Sequence, residues 1–216
     1  IPPNSDRDAA RRRLSLPTRG RIVALLPGSR LSELEYMLPV FFATAAILAQ
    51  RFPGITFALP LANREARAAW ENDYAAGVPK SIDLRVFDGQ AQAVMTAADV
   101  VMLASGTATL EAALLKRPMV ISYRVSKLTY RLMWRQRRLP YVGLPNILAQ
   151  KFIVPELLQE AATPERLAAA VGDFLAAPES MRELEEWFHQ MHIALKQNSA
   201  QKAAEVILSI AGEAHG

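Results

Sequence analysis

One short loop and one carboxylate carry residue types that suit binding of anions and sugars. Ser105-Gly106-Thr107 separates an apolar run, DVVMLA, from a strongly helical run, ATLEAALLK. A helix N-terminus carries roughly half a positive charge and free N–H groups, so it can hold a phosphate. Glu111 lies four residues beyond Thr107 and therefore on the same helix face. A carboxylate repels phosphate but can accept two hydrogen bonds from a sugar diol. The spacing predicts a nucleotide, with phosphate at the helix tip and ribose one turn along.

Each of these features also has a simpler explanation. Ser and Thr are common helix N-caps, so the two hydroxyls can serve the helix alone. An acid near a helix N-terminus is favoured by the dipole without any ligand.

Two further loops follow apolar runs. In Pro27-Gly28-Ser29-Arg30, Gly28 lets the backbone approach a ligand, Ser29 can donate a hydrogen bond, and Arg30 can pair with a phosphate. The alternative is a turn with a surface Arg. The loop matches neither a Walker motif nor GxGxxG, which disfavours nucleotide triphosphatases and dinucleotide enzymes. Phe87-Asp88-Gly89 can offer backbone groups and a ring to a base, although a turn explains it more simply.

The elements that must position these loops alternate along the chain. Short, continuous apolar runs predict strands at 22–26, 54–60, 82–89, 99–104 and 118–123. Helical patterns predict helices at 33–51, 63–75, 90–97, 107–116 and 126–138. The alternation predicts an α/β fold, a doubly wound parallel Rossmann-like sheet, with the loops at the carboxyl ends of the strands. Beyond residue 155 we expect helices only, at 155–161, 164–177, 179–196 and 198–211.

Length, composition and charge narrow the classes further. The 216 residues suit one or two domains, and the chain has no cysteine, which excludes disulfides, cysteine–zinc sites and a cysteine nucleophile. It starts without Met, and we expect a piece of a longer protein. No acidic residue lies between Glu111 and Glu156, whereas nine of the 25 basic residues lie there. The remaining 16 basic residues face 21 acidic ones, so the positive charge belongs to this one region.

The helix predicted at 126–138, here called the basic helix, places Lys127, Arg131, Arg135 and Arg138 on one face beside an apolar row. Such a helix suits a membrane interface or an anionic lipid head group. A helix with a solvated basic face, whose apolar row packs on the core, is equally expected.

The sequence pI of about 9.6 also admits a nucleic-acid-binding module, although no RNA- or DNA-binding signature is present. His189 and His192 have a spacing that permits a metal pair, but an ordinary surface or core pair is favoured.

A set of short motifs runs through the chain in a characteristic order: LLPGSRxxE, PLxN, FDG, LASGTATLE, KRPMVxxYR, YVGLPNxLA and VPELLQE. From about residue 7 to the end, the sequence resembles the C-terminal half of the lipid-A-disaccharide synthases, glycosyltransferases with two Rossmann-like lobes (GT-B type). The resemblance implies transfer from UDP-2,3-diacylglucosamine to 2,3-diacylglucosamine 1-phosphate, with release of UDP. This half would hold the UDP-sugar, and the N-terminal half would hold the lipid acceptor.

The resemblance also implies residue roles. Arg30 and Asn146 would position the leaving group or the donor. The residues expected around the UDP-sugar are Gly28, Ser29, Arg30, Phe87, Gly89, Ser105, Gly106, Thr107, Glu111, Arg124, Glu156 and Gln159. The implied reaction is direct displacement with inversion, with no metal or other cofactor. The general base is expected in the N-terminal lobe, so the chain alone should bind UDP weakly and turn over nothing.

The resemblance further implies organisation and location. Residues 1–178 would form the UDP-sugar-binding lobe, and 179–216 a helical tail that crosses to the N-terminal lobe from about Asn198. We expect a cytoplasmic protein, peripheral at the inner membrane through the basic helix, with homo-oligomers possible. A UDP-sugar 2-epimerase, which shares the two-lobe fold, is the alternative enzyme.

Overall fold

The computed structural model describes residues 1–2, 4–126, 129–131 and 139–196. Its strands are β1 (Ile22–Leu26), β2 (Thr56–Leu61), β3 (Asp83–Asp88), β4 (Val100–Ala104), β5 (Met119–Tyr123) and β6 (Glu156–Leu158). The helices with described bounds are α1 (Arg7–Arg13), α2 (Leu31–Arg51), α3 (Arg64–Ala69), α4 (Ala91–Ala97), α5 (Thr107–Leu114), α6 (Leu144–Ala149), α7 (Pro164–Ala176) and α8 (Pro178–Leu195).

The described strands form one parallel sheet in the order β3-β2-β1-β4-β5-β6. Every residue of β1 and β4 is buried, because helices cover both faces. Register is set by pairs such as Val23 with Val100 and Leu26 with Leu103. The order reverses between β1 and β4, so the predicted doubly wound α/β fold is confirmed.

The two faces of the sheet have separate hydrophobic cores. On β1, Val23 and Leu25 join the core that contains α2 and α7, whereas Ile22 and Ala24 join the core that contains α1, α4, α5 and α8. Helix α2 is long and apolar enough to cross a membrane by length and composition alone. More than half of that apolar stretch is buried, with Phe41 fully inside, as expected for a core helix.

The N-terminal lead-in is fixed to the sheet by Asp99. Its Oδ2 accepts hydrogen bonds from Arg11 Nη2 and from Ile22 N, both at 2.8 Å, and its Oδ1 pairs with Arg7 Nη1 at 2.8 Å. The Arg11 side chain is only 3% exposed, so its charge depends on this carboxylate for compensation. Asp99 thereby joins α1 to the first residue of β1.

Two predicted elements were wrong in part, and one helix was not predicted. Residues 155–161 were expected to be helical, but they form β6 and a 3-10 turn, Gln159–Ala161. Pairing with β5, which joins Ile121 to Glu156, overrides the helical propensity of this short segment. The helix expected at 63–75 ends at Ala69 and continues as a π-helical turn, Trp70–Tyr74. Helix α6, with Pro145 in its first turn, was not predicted.

The C-terminal predictions are confirmed only in their first part. Helix α7 begins at Pro164 with Thr163 as its N-cap, and α8 packs on this domain through Leu184 and Phe188. Residues 129–131 are helical, but the rest of the basic helix beyond Ser126 lies outside the described residues. So does the helix predicted at 198–211, together with any crossing of the tail to another lobe.

Replacing Asp99 with Ala should reduce the free energy of unfolding by about 3–5 kcal/mol, because the buried Arg11 guanidinium keeps its bonds to backbone carbonyls but loses the carboxylate that compensates its charge. Urea unfolding measures the loss. Glu71→Ala, which removes the exposed partner of Arg67, is the control and should change stability little. Equal losses in the two variants would contradict the assigned role of Asp99.

Candidate functional site

The carboxyl ends of β1 and β4 border a cavity of about 380 Å³ at the point where the strand order reverses. Ligands of open α/β sheets bind at this position. The two loops expected to hold the diphosphate both line it, and the lining residues include Gly28, Ser29, Arg30, Ser105, Gly106 and Thr107. A larger cavity, about 530 Å³, lies between the lead-in and α4, away from the β1 and β4 loops. We therefore assign the site to the cavity at the strand ends.

The loop after β1 is organised by Glu33, the third residue of α2. Its Oε2 accepts hydrogen bonds from the backbone N–H groups of Ser29 at 2.8 Å and Arg30 at 3.2 Å. Its Oε1 lies 3.2 Å from Arg30 Nη1. A Cβ at Gly28, where φ is 121°, would collide with this carboxylate and lie 2.6 Å from Glu33 Cβ. The glycine is therefore required by both the backbone angle and the side chain beneath it.

Arg30 reaches out from this loop into solvent. Its side chain is 76% exposed although one nitrogen contacts Glu33, so the other guanidinium donors can meet a ligand. Asn63 Nδ2, at the start of α3, donates to the carbonyl of Ser29 at 3.5 Å. The loop after β2 thus supports the loop after β1.

The second loop forms the tip of α5. The N-cap is Gly106, and within the described chain no side chain caps this helix. Ser105 Oγ instead donates to the carbonyl of Val142 at 3.1 Å, while Gly106 and Thr107 are exposed. The alternative that Ser105 or Thr107 serves as the N-cap is therefore wrong. Because a helix begins here without a side-chain cap, its first N–H groups remain for water or a ligand.

Glu111 lies one turn further along α5 and is half buried. Among the described residues its carboxylate has no hydrogen-bond or ion-pair partner. It is the fifth residue of the helix, and the first turn of α5 contains no acid, so the dipole is a weak explanation for its presence. The carboxylate is placed to accept hydrogen bonds from a group that lies along the helix.

The loop after β3 lies beside the cavity rather than in its lining. Gly89, with φ of 64°, donates its N–H to the carbonyl of Leu61 at 2.7 Å, and Asp88 pairs with Arg67 at 3.4 Å. Phe87 packs in part on the core, and Ala91, at the start of α4, lines the cavity. Base binding by Phe87 and Gly89 stays a prediction.

Asn146 and Glu156 form a network behind the cleft. Asn146 is fully buried; its Nδ2 donates to Glu156 Oε1 at 2.8 Å, and its Oδ1 accepts from the N–H of Val154 at 3.0 Å. The carboxylate of Glu156 also accepts from the N–H groups of Val142 and Gly143, both at 2.9 Å. Because Val142 binds Ser105, the network supports the tip of α5 from behind. Direct contact of Asn146 or Glu156 with a donor sugar stays a prediction.

Arg124 and Gln159 lie at the carboxyl ends of β5 and β6. Arg124 Nη2 donates to the carbonyl of Ala162 at 2.7 Å, and its Nε donates to the carbonyl of Gln159 at 3.3 Å. With its amide oriented to satisfy both partners, Gln159 bonds the N–H and carbonyl of Val125. Of the site residues expected from the sequence, the loops at 28–30 and 105–107 therefore meet in the cavity. The others lie outside its lining: Phe87, Gly89, Glu111, Arg124, Asn146, Glu156 and Gln159.

Two residues at this edge, Glu33 and Tyr123, were not assigned roles from the sequence. Tyr123 ends β5, and burial together with the negative charge of Glu33 raises the pKa of its phenol. Glu33 could have been found, because an acid three residues after the N-cap is the second half of a capping box. Tyr123 has no such local signal, since its relation to Glu33 depends on the order of the strands.

The described residues contain no cluster of three or more His, Asp or Glu that could hold a metal ion. His192 is buried, and its Nδ1 lies 2.6 Å from Lys116 Nζ. Burial and the charge of Lys116 lower the pKa of this imidazole. His192 is thus a buried core residue on the far side of α5.

Solved structures identify the class of this fold. The glycosyltransferase WaaG, involved in lipopolysaccharide biosynthesis, matches 96% of this chain with a TM-score of 0.60 and 16% identity. Anabaena Alr3699/HepE, solved with UDP-glucose, matches 94% with a TM-score of 0.56 and 14% identity. In both cases the match covers 52% of the other chain. The fold is one lobe of a GT-B glycosyltransferase.

The sequence comparison is more specific. The family model for lipid-A-disaccharide synthetase matches residues 1–211. The lipid-A-disaccharide synthase of Aromatoleum aromaticum is 53% identical over 203 residues, which is 94% of this chain and 52% of that protein. The chain belongs to the lipid-A-disaccharide synthetase family, and the resemblance is confirmed. It spans about half the length of the curated relatives it matches.

Gly28→Ala should destabilise the protein more than Gly54→Ala. Both positions have positive φ, which costs a non-glycine residue roughly 1–2 kcal/mol, but only at Gly28 does the added Cβ meet another group, Glu33. At Gly54 the space within 4 Å is open. Urea midpoints measure the difference, and equal midpoints would contradict the close packing of Glu33 beneath the loop.

Proposed function

We propose that this chain is the UDP-sugar-binding half of a lipid-A-disaccharide synthase. It would bind UDP-2,3-diacylglucosamine for transfer to 2,3-diacylglucosamine 1-phosphate, with release of UDP. The observation that carries the proposal is found on one helix: its tip lies in the cavity, and the described residues provide neither a side-chain cap for that tip nor a partner for Glu111 one turn along. Family membership and the UDP-glucose held by a protein of the same fold support it.

The diphosphate would lie between the loop after β1 and the tip of α5. The helix N-terminus offers partial positive charge and free N–H groups, and Arg30 offers a full charge with several donors. Ser29 and Thr107 add hydroxyls at the two sides of the cavity. Glu111 would accept hydrogen bonds from the ribose, and the loop at Phe87–Gly89 would border the uracil.

The proposed reaction is direct displacement at the anomeric carbon with inversion. The acceptor hydroxyl attacks, the bond from the anomeric carbon to the diphosphate breaks, and UDP leaves with increased negative charge. Arg30 and the α5 tip are placed to stabilise that charge, which fixed donors do well because they need no reorganisation. With these groups on the leaving diphosphate, the proposal requires no metal. The general base that deprotonates the acceptor would come from the N-terminal half.

The location of the protein is part of the proposal. Acylated substrates place the reaction at the cytoplasmic surface of the inner membrane, and the basic helix would contact anionic lipids there. The family match favours the transferase over a UDP-sugar 2-epimerase and over a nucleic-acid-binding module. Product analysis with the full-length protein separates the two enzymes, and UDP titration separates both from the nucleic-acid binder.

The binding site is tested by titrating UDP, UDP-N-acetylglucosamine and the diacylated donor into this chain by calorimetry. Arg30→Ala should weaken UDP binding about 10- to 100-fold, because charge-assisted hydrogen bonds contribute about 1.5–3 kcal/mol. Glu111→Ala should weaken it about tenfold by loss of the ribose contacts. As controls, Arg19→Ala and Glu179→Ala each remove a charge of the same sign at an exposed position away from the cavity, and neither should change UDP affinity. Unchanged UDP affinity in both site variants would refute the site.

The chain alone should show no disaccharide synthesis, because the general base and the acceptor site are assigned to the N-terminal half. Thin-layer analysis of products, with and without the separately expressed N-terminal half of a relative, measures this. Activity of the chain by itself would contradict the division of roles between the halves.

Association with the membrane is tested by liposome flotation. Neutralising Arg131, Arg135 and Arg138 should reduce binding to anionic vesicles, since each basic residue near such a surface contributes about 1 kcal/mol. Vesicles of neutral lipid are the control. Unchanged binding to anionic vesicles would count against the basic helix as the contact.

A further inference from the structure

Glu33 stands out as a carboxylate in the lining of a cavity that is expected to hold a diphosphate. It is only 8% exposed, and both of its oxygens are engaged by the loop after β1. The contact itself is common at helix N-termini, because an acid at the third helical position often accepts a hydrogen bond from the N–H of the N-cap residue. Its place in the cavity is what needs a further explanation.

The contacts of Glu33 decide which groups of the loop can meet a ligand. The N–H groups of Ser29 and Arg30 already donate to Oε2, so neither is available to a phosphate while Glu33 stays in place. The loop can then reach a ligand through the Ser29 hydroxyl and the Arg30 guanidinium. Glu33 also fixes the backbone conformation of Ser29 and Arg30, because it accepts hydrogen bonds from both of their N–H groups.

The contact between Glu33 Oε1 and Arg30 Nη1 gives the exposed guanidinium a preferred direction. An ion pair with one exposed partner adds little stability, so this contact contributes orientation rather than folding energy. Orientation matters to a ligand because a long, mobile side chain otherwise loses rotamer freedom when it binds. Burial and the negative charge of this carboxylate raise the pKa of the phenol of Tyr123, at the end of β5.

We propose that Glu33 is a positioning residue for the donor diphosphate: it holds the Gly28–Arg30 loop and directs the Arg30 guanidinium across the cavity toward the tip of α5. This inference rests on the proposed function, since it needs UDP as a ligand of the cavity. The repulsion between Glu33 and the diphosphate is offset by Arg30 between them and by the N-terminus of α2, where the carboxylate lies. If Glu33 were instead an occupant that the diphosphate displaces, its neutralisation would strengthen UDP binding.

The test is a double-mutant cycle in this chain, with UDP affinity as the readout. Glu33→Gln keeps the shape of the side chain but has one acceptor oxygen instead of two, so it can make only part of the contacts. It should weaken UDP binding about tenfold. Arg30→Ala/Glu33→Gln should bind UDP no more weakly than Arg30→Ala, because Glu33 acts through Arg30. A purely structural role would give additive losses, and these would overturn the proposal. Tighter or unchanged UDP binding in Glu33→Gln would also overturn it.

Controls separate positioning from folding and from the proposed function. Asp6→Ala removes the N-cap acid of α1, far from the cavity, and should lower the urea midpoint without changing UDP affinity. If Glu33→Gln does not fold, Glu33→Asp keeps the charge but shortens the reach, and the same coupling with Arg30 is expected. Wild-type chain that fails to bind UDP would refute the proposed function itself. Binding that depends on Arg30 but not on Glu33 would refute this inference alone.

Discussion

The reversal of strand order between β1 and β4 is the constraint on which the site depends. The chain that leaves β1 crosses to β2 on one side, and the chain that leaves β4 crosses to β5 on the other side. The loops after β1 and β4 therefore diverge. The gap between them becomes the 380 Å³ cavity. Because β1 and β4 are buried along their whole length, the positions of these two loops are fixed by the hydrophobic core rather than by the loops themselves.

Several polar groups at this edge have partners inside the protein, as buried polar groups usually do. Glu33 takes the N–H groups of the loop after β1, while Glu156 and Asn146 take those of the segment at 142–143. Among the described residues, no side chain caps the tip of α5 and none bonds or pairs with the Glu111 carboxylate. The internal contacts therefore leave one helix as the surface that a nucleotide would meet, with Arg30 opposite.

The sequence predicted the sheet well because its signal is local. Of the first five strands, β1, β2, β4 and β5 are mostly apolar and almost entirely buried between two layers of helices, whereas the edge strand β3 is only partly buried. The loops at Ser29 and Gly106 were predicted to lie at the carboxyl ends of their strands for the same reason, and the family resemblance implied that both lie near the diphosphate. The order of the motifs along the chain also indicates the family.

What the sequence could not predict depends on contacts between distant residues. β6 has three residues, and its strand conformation arises from pairing with β5 and from the bonds of Glu156 to Val142 and Gly143. The network of Asn146 and the closeness of Tyr123 to Glu33 likewise require the fold. The absence of a side-chain cap on α5 could not be read from Ser105 and Thr107, because Ser105 bonds Val142, 37 residues away.

The central claim is that Glu111 binds the ribose of a nucleotide whose diphosphate lies at the tip of α5. The most direct measurement compares the affinities of UDP and 2′,3′-dideoxy-UDP for the wild-type chain and for Glu111→Ala. A carboxylate that accepts hydrogen bonds from the ribose hydroxyls should give the wild type a preference for UDP of about tenfold or more. That preference should disappear in the variant, and its persistence there, or its absence in the wild type, would contradict the account.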